Sequence, residues 1–126
     1  MIAYTMVGTN DLSVSRKFYD PIFELLGLDL CWNDTQSVSY GKLSDPYYPR
    51  YFVGYPFDNA KAMNGNGTMT AFLCKDEDTV NQIYAVGIEN GSSCEGKPGF
   101  RPEYGERFYA AYIRDPDLNK LAFVVY

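Results

Sequence analysis

The chain alternates short apolar runs with polar turns, and the spacing inside each run sets the element it predicts. Residues 2–7 are mostly apolar, and Gly8-Thr9-Asn10-Asp11 ends the run. This predicts a strand, then a turn in which Asn10 or Asp11 caps a helix. From there Leu12, Tyr19, Ile22, Phe23 and Leu26 fall at helical spacing. Pro21 is expected to kink that helix or end its first part, because proline removes one backbone bond and crowds the preceding turn. Gly27 suits the left-handed position just past a helix end. Three strand candidates follow, at 28–32, 37–41 and 50–55, separated by Asn33-Asp34 and by Ser44-Asp45-Pro46.

After a loop from 56 to 67, with Asn64-Gly65-Asn66-Gly67 near its end, the same order returns. Residues 68–73 read as a strand. Asp76 starts a helix with Val80, Ile83, Tyr84 and Ile88 on one face, closed by Gly91. Strand candidates lie near 93–95, 107–114 and 121–126, the last two joined by an Asp115–Lys120 hairpin turn. The pattern is βαβββ twice, a repeat of architecture rather than of sequence. It predicts an α+β fold: two tandem βαβββ modules forming a cupped eight-stranded mixed sheet. The single domain spans 1–126, with module one at about 1–56, a linker at 57–66 and module two at about 67–126. The concave face is the natural ligand site.

Composition narrows the chemistry. At 126 residues the chain can build one real core and not two ordinary domains. Eleven Lys+Arg against 16 Asp+Glu give −5, with no strongly basic stretch, so no nucleic-acid partner is expected. No apolar run approaches the ~20 residues that span a bilayer, so no membrane association is expected. The first residues lack a basic start and a signal-peptide core, and the expected compartment is the cytoplasm. There is no histidine, which excludes Ser-His and Cys-His machinery and every histidine-based metal site. Cys31, Cys74 and Cys94 are scattered without a Cys-x-x-Cys pair, and read as small buried hydrophobes. Twelve Tyr, eight Phe and one Trp are the positive anomaly. Tyrosine has an apolar body and a polar tip, which suits a half-wet pocket or an interface.

Four segments together resemble the vicinal oxygen chelate superfamily, which holds glyoxalase I, extradiol dioxygenases, fosfomycin-resistance enzymes and bleomycin-resistance proteins. Tyr4 to Leu12 with Ser15-Arg16-Lys17-Phe18-Tyr19 is similar to its opening strand and "DL..S..FY" helix. Gly65 to Phe72 resembles the strand that opens the second module. Gly99-Phe100-Arg101-Pro102-Glu103-Tyr104 resembles the "G.RP.Y" loop of a glyoxalase-like subgroup, and Arg114 to Leu121 the final "RDPDGNKIE" hairpin. The resemblance covers nearly the whole chain. One departure is Leu118 in place of the hairpin glycine. A leucine strains a turn that needs positive φ, so a shifted turn type is expected.

The resemblance implies four metal-ligand positions. They fall at Tyr4, near Phe52, at Met69 and at Ala122. Alanine and phenylalanine offer no donor, methionine only a soft thioether, and tyrosine a phenol that ionises near pH 10. A divalent ion needs at least three N, O or S donors, so no metal and no cofactor are expected. A displaced site built from Glu103, Glu106 or Asp45 is the remaining metal option.

Strand alternation puts Tyr4 with Met6, Met69 with Ala71 and Leu73, and Ala122 with Val124, all toward the cup. Trp32, Tyr40 and Tyr104 are expected to complete its rim beside Phe52. The reading is a cup that binds a small aromatic or amphipathic molecule without metal catalysis, in a homodimer as is common among small members of the superfamily. Two alternatives stand beside it. One is a glyoxalase-like lyase or isomerase with a nonstandard acid or base such as a tyrosine or Glu103. The other is an interaction module whose aromatics form a dimer face.

Overall fold

The computed structural model describes residues 1–126. Strand β1 (Tyr4–Gly8) leads into helix α1 (Leu12–Leu25), where the Asp11 carboxylate accepts from the Val14 amide at 3.1 Å. That bond satisfies one of the donors a helix leaves free at its start. At the other end Gly27 sits at φ 69°, the Gly27 amide donates to Glu24 and the Leu28 amide to Phe23. This pair of bonds with a left-handed glycine is the Schellman closure. Of the two outcomes expected at Pro21, an end to the first part of the helix does not occur: α1 runs through it as one element. Phe18, Tyr19, Ile22 and Phe23 flank the proline and are all buried, and their packing outweighs the one lost backbone bond.

Strands β2 (Asp29–Asn33), β3 (Ser37–Gly41) and β4 (Arg50–Gly54) complete module one. Module two repeats the order with β5 (Thr70–Leu73), α2 (Glu77–Glu89), β6 (Ser93–Phe100), β7 (Tyr109–Arg114) and β8 (Lys120–Val125). Asp76 caps α2 through the amide and hydroxyl of Thr79, at 2.8 and 2.6 Å. The eight strands are shared between two four-stranded sheets, β1-β4-β3-β2 and β5-β8-β7-β6, with no ladder joining them. In each, the first strand pairs parallel with the fourth and the other pairs are antiparallel. β6 runs to Phe100, well past residue 95, and carries two bulges. Pro98 is accommodated there because β6 is an edge strand. Within α2, Thr79 and Gly87 are buried with Val80 and Ile83, while Ile88 is exposed.

Both helices pack on the same side of the sheets, and the two modules share one core. Phe72 of β5 meets Phe23 at 5.3 Å and Tyr51 at 5.1 Å between ring centroids, and stacks on Phe123 at 5.6 Å. Gly87 marks the closest approach of α2 to β7: a Cβ there would lie 2.7 Å from Ile113 Cδ1.

The Asp115–Lys120 hairpin is the second junction. Asp115 is 1% exposed and accepts from the Tyr19 hydroxyl at 2.6 Å, from Asn119 Nδ2 at 2.8 Å, and from the amides of Asp117 and Asn119. Asp117 reaches into module one, accepting from the Thr9 hydroxyl at 2.6 Å and the Asn10 amide at 2.9 Å. Asn119 donates to the Gly8 carbonyl. The polar residues of this motif thus join the end of module two to the first turn of module one.

Leu118 sits at φ 69° in that hairpin. The expected shift of turn type does not occur. The backbone is held by the Leu118 amide to Asp115 and the Asp115 amide to Asn119, both at 2.9 Å, and by Arg114 on the Leu118 carbonyl. A left-handed leucine costs roughly 1–2 kcal/mol, partly offset because glycine is freer when unfolded. Leu118→Gly is therefore expected to stabilise the fold by about 0.5–1 kcal/mol. The check is a higher urea midpoint at unchanged slope; an unchanged or lower midpoint would show that the turn is unstrained.

Candidate functional site

The ladder registers separate two faces on each sheet. In module one Tyr51 and Val53 point to the helices and are buried, so their neighbour Phe52 points the other way. Phe52 is paired with Met6 on one side and Ser39 on the other, and Ser39 is paired with Trp32. Tyr4 lies two residues from Met6, and its ring meets that of Phe52 edge-on at 5.6 Å. Tyr4, Met6, Trp32 and Phe52 therefore share the helix-free face. Tyr4 is 65% exposed, Trp32 52% and Met6 51%.

Tyr40 does not belong to this face. It pairs with Tyr51 on the helix side, is 2% exposed, stacks on Phe23 at 4.3 Å and donates its hydroxyl to Asp20 at 2.7 Å. The registers do not group Tyr40 with Trp32 and Phe52: its ring packs in the core, its hydroxyl is taken by Asp20, and it borders the cavity at the β5 seam instead.

In module two Ala71, Ala122 and Tyr112 are paired in a row on the helix-free face. The open part of this face is a cleft of about 670 Å³. Met69, Tyr104, Phe108 and Tyr112 give it apolar walls, and Arg101, Lys120, Glu95 and Glu103 give it charge. Tyr104 and Phe108 meet edge-on at 5.5 Å. Ala122 is not accessible in this cleft. It is fully buried with Ala110 and Val124 beneath Phe108 and Tyr112, so it forms the floor and not the lining. Ala71 borders a second cavity, of about 410 Å³, along the seam between β5 and module one, with Ile2, Leu28 and Tyr48.

The charged groups of the cleft are ordered by a few contacts. Arg114 holds Glu95 through Nε at 2.5 Å, and this bond draws the Glu95 pKa below its ordinary value. Arg101 donates to the carbonyls of Lys97 and Phe100 at 2.7 and 3.3 Å, which sets its guanidinium 5.6 Å from the Tyr112 ring centroid. Lys120 Nζ lies 6.0 Å from the same centroid. Burial raises the Tyr112 pKa, against a lowering by Arg101.

The expected site residues are thus divided. Tyr4, Met6, Trp32 and Phe52 share one face, Met69 and Tyr104 line the cleft of the other module, and neither cavity described above contains a member of the first group. Arg101, Phe108, Tyr112 and Lys120 line the cleft without having been singled out as binding residues. Arg101 lies inside the quoted Gly99–Tyr104 motif, and Lys120 lies two residues before Ala122 on the same strand, so alternation could have found it. Glu103, Glu106 and Asp45 do not gather: no group of three or more His, Cys, Asp or Glu side chains is placed to hold a metal ion.

No helix is long and apolar enough to cross a membrane. No family model matches the sequence. No curated protein matches it either. Solved structures do. A glyoxalase/bleomycin resistance protein from Albidiferax ferrireducens T118 is 33% identical, with a TM-score of 0.86 over 100% of this chain and 98% of that one. A glyoxalase-related enzyme from Fulvimarina pelagi is 17% identical, with a TM-score of 0.77 over 100% and 88%. A lactoylglutathione lyase from Agrobacterium tumefaciens is 18% identical, with a TM-score of 0.66 over 99% and 92%. The last two show likeness of fold alone. The first, at full coverage, also carries the family: this chain belongs to the glyoxalase/bleomycin resistance proteins of the vicinal oxygen chelate superfamily.

Proposed function

We propose that this protein binds a small aromatic or amphipathic molecule on its helix-free faces and does so without metal catalysis. One observation carries the reading. The four positions where the resemblance places metal ligands fall at Tyr4, near Phe52, at Met69 and at Ala122, and these residues carry a phenol, a phenyl, a thioether and a methyl group. That donor set does not fit a divalent ion, which wants three or more N, O or S ligands. It fits an apolar ligand body, with the Tyr4 and Tyr112 hydroxyls as polar handles. The alternative in which a tyrosine serves as base gains nothing from Tyr112, whose phenol burial makes harder to ionise.

The reading includes a second copy of the chain. Tyr4, Met6 and Trp32 form an exposed apolar face on module one. Faces of this kind mark sites of association, and a partner's module two laid over it would complete a cup. Native mass spectrometry of the untagged protein tests both parts. The expected spectrum is a dimer without a divalent ion, with or without an organic adduct. One divalent ion per subunit would overturn the metal-free reading, and a monomer at micromolar concentration would overturn the shared cup.

A further inference from the structure

Lys120 is a half-buried cation on the wall of the module-two cleft, and no carboxylate lies within ion-pairing distance of it. Its Nζ lies 6.0 Å from the Tyr112 ring centroid, and Glu95 acts on it only from beyond ion-pairing distance. Glu95 is held by Arg114. Glu103 is exposed at the rim. Arg101 faces the cleft as a second cation, with carbonyl partners and no carboxylate. Once the Arg114–Glu95 pair is set aside, Lys120 and Arg101 stand against Glu103 alone, and one positive charge is left over.

Next to these cations are Met69, Tyr104, Phe108 and Tyr112. Gly96 keeps the arrangement possible, since a Cβ there would lie 2.9 Å from the Tyr112 ring and 3.4 Å from Arg101 Nη2. Module one repeats the feature. Arg50 opens β4 as Lys120 opens β8, and its buried Nε makes no hydrogen bond.

Resting on the binding reading above, we propose that the module-two cleft takes a flat aromatic monoanion of the carboxylate class. Lys120 and Arg101 hold the carboxylate, and Tyr112, Tyr104 and Met69 hold the ring. A monoanion balances the excess charge. A dianion such as a phosphate monoester overshoots it and meets Glu103.

The test is calorimetric titration of the full-length protein with three isosteres: 1-naphthoate, 1-naphthamide and 1-naphthylmethylammonium. A charge-assisted contact predicts naphthoate about tenfold or more tighter than naphthamide, and the ammonium weakest. Raising the salt should narrow the gap. Lys120→Met should lower naphthoate affinity about tenfold and leave naphthamide within about twofold, while Lys120→Arg should retain the preference. The wild-type series needs no variant to fold. Equal binding of naphthoate and naphthamide, or a preference that survives Lys120→Met, would overturn the carboxylate inference and leave the binding reading in place. If none of the three binds at millimolar concentration, both fall.

Discussion

Replacing Asp115 with alanine is expected to remove about 4 kcal/mol of stability, more than any surface change in the molecule. The carboxylate satisfies four donors in a buried setting: the Tyr19 hydroxyl, Asn119 Nδ2 and two backbone amides. Alanine leaves all four without their acceptor. Asparagine is expected to rescue little, because its amide nitrogen would confront donors on one side. The pH dependence supplies a second readout. Burial raises the Asp115 pKa above its ordinary value and outweighs the lowering by Tyr19 and Asn119. The folded chain therefore holds that proton more tightly than the unfolded chain. The stability this adds is fully present below the unfolded pKa and is lost as pH rises through the folded value. In Asp115→Ala that falling segment should flatten. Urea unfolding across the acid range measures both effects, and a loss under about 1 kcal/mol would show that water replaces the carboxylate.

Tyr40→Ala is the second large effect, with an expected loss of about 4 kcal/mol. The ring is buried, stacks on Phe23 and lies 6.3 Å from Tyr19. Its removal opens a cavity among side chains that cannot collapse without moving α1. Tyr40→Phe keeps the ring and gives up only the Asp20 bond. Asp20 retains Arg16 at 2.9 Å, so that variant should lose about 1 kcal/mol. Thermal unfolding separates the two. A Tyr40→Ala protein that melts like wild type but loses ligand affinity would return Tyr40 to the binding site.

The contrast between Tyr40 and Met69 shows what the sequence made legible. The helix starts and the closure at Gly27 follow from local capping chemistry: Asp76 and Gly27 stand where expected, and of Asn10 and Asp11 it is Asp11 that caps α1. The repeated βαβββ order followed from turn spacing. Which face a strand residue takes is a question about its neighbours. In Ser37-Val38-Ser39-Tyr40-Gly41 the apolar residues alternate with small ones, and that pattern alone marks Tyr40 as core. Rim placement had to neglect it. Pro21 does not end the helix because a propensity loss is local and the packing of Phe18, Tyr19, Ile22 and Phe23 is not. Leu118 keeps a positive φ because the bonds that fix it come from Asp115 and Arg114. The cations of the cleft are partly legible, since alternation puts Lys120 on the face of Ala122 and Arg101 lies in the quoted motif, but their role is not. Most lysines and arginines are simply solvated, and only the contacts around Lys120 and Arg101 set them apart.

The hairpin that ties Asp117 to Thr9 and Asn10 spans sequence separations of 108 and 107 residues. Closing so long a loop costs only a little more entropy than closing a shorter one, so the native state bears it easily. The cost falls on kinetics instead, because distant contacts form slowly. During synthesis the Thr9 and Ser15 hydroxyls have only each other and the Asp11 backbone as partners until residue 117 has been made. Completion of the N-terminal turn is thus a late event, set by the arrival of the far end of the chain.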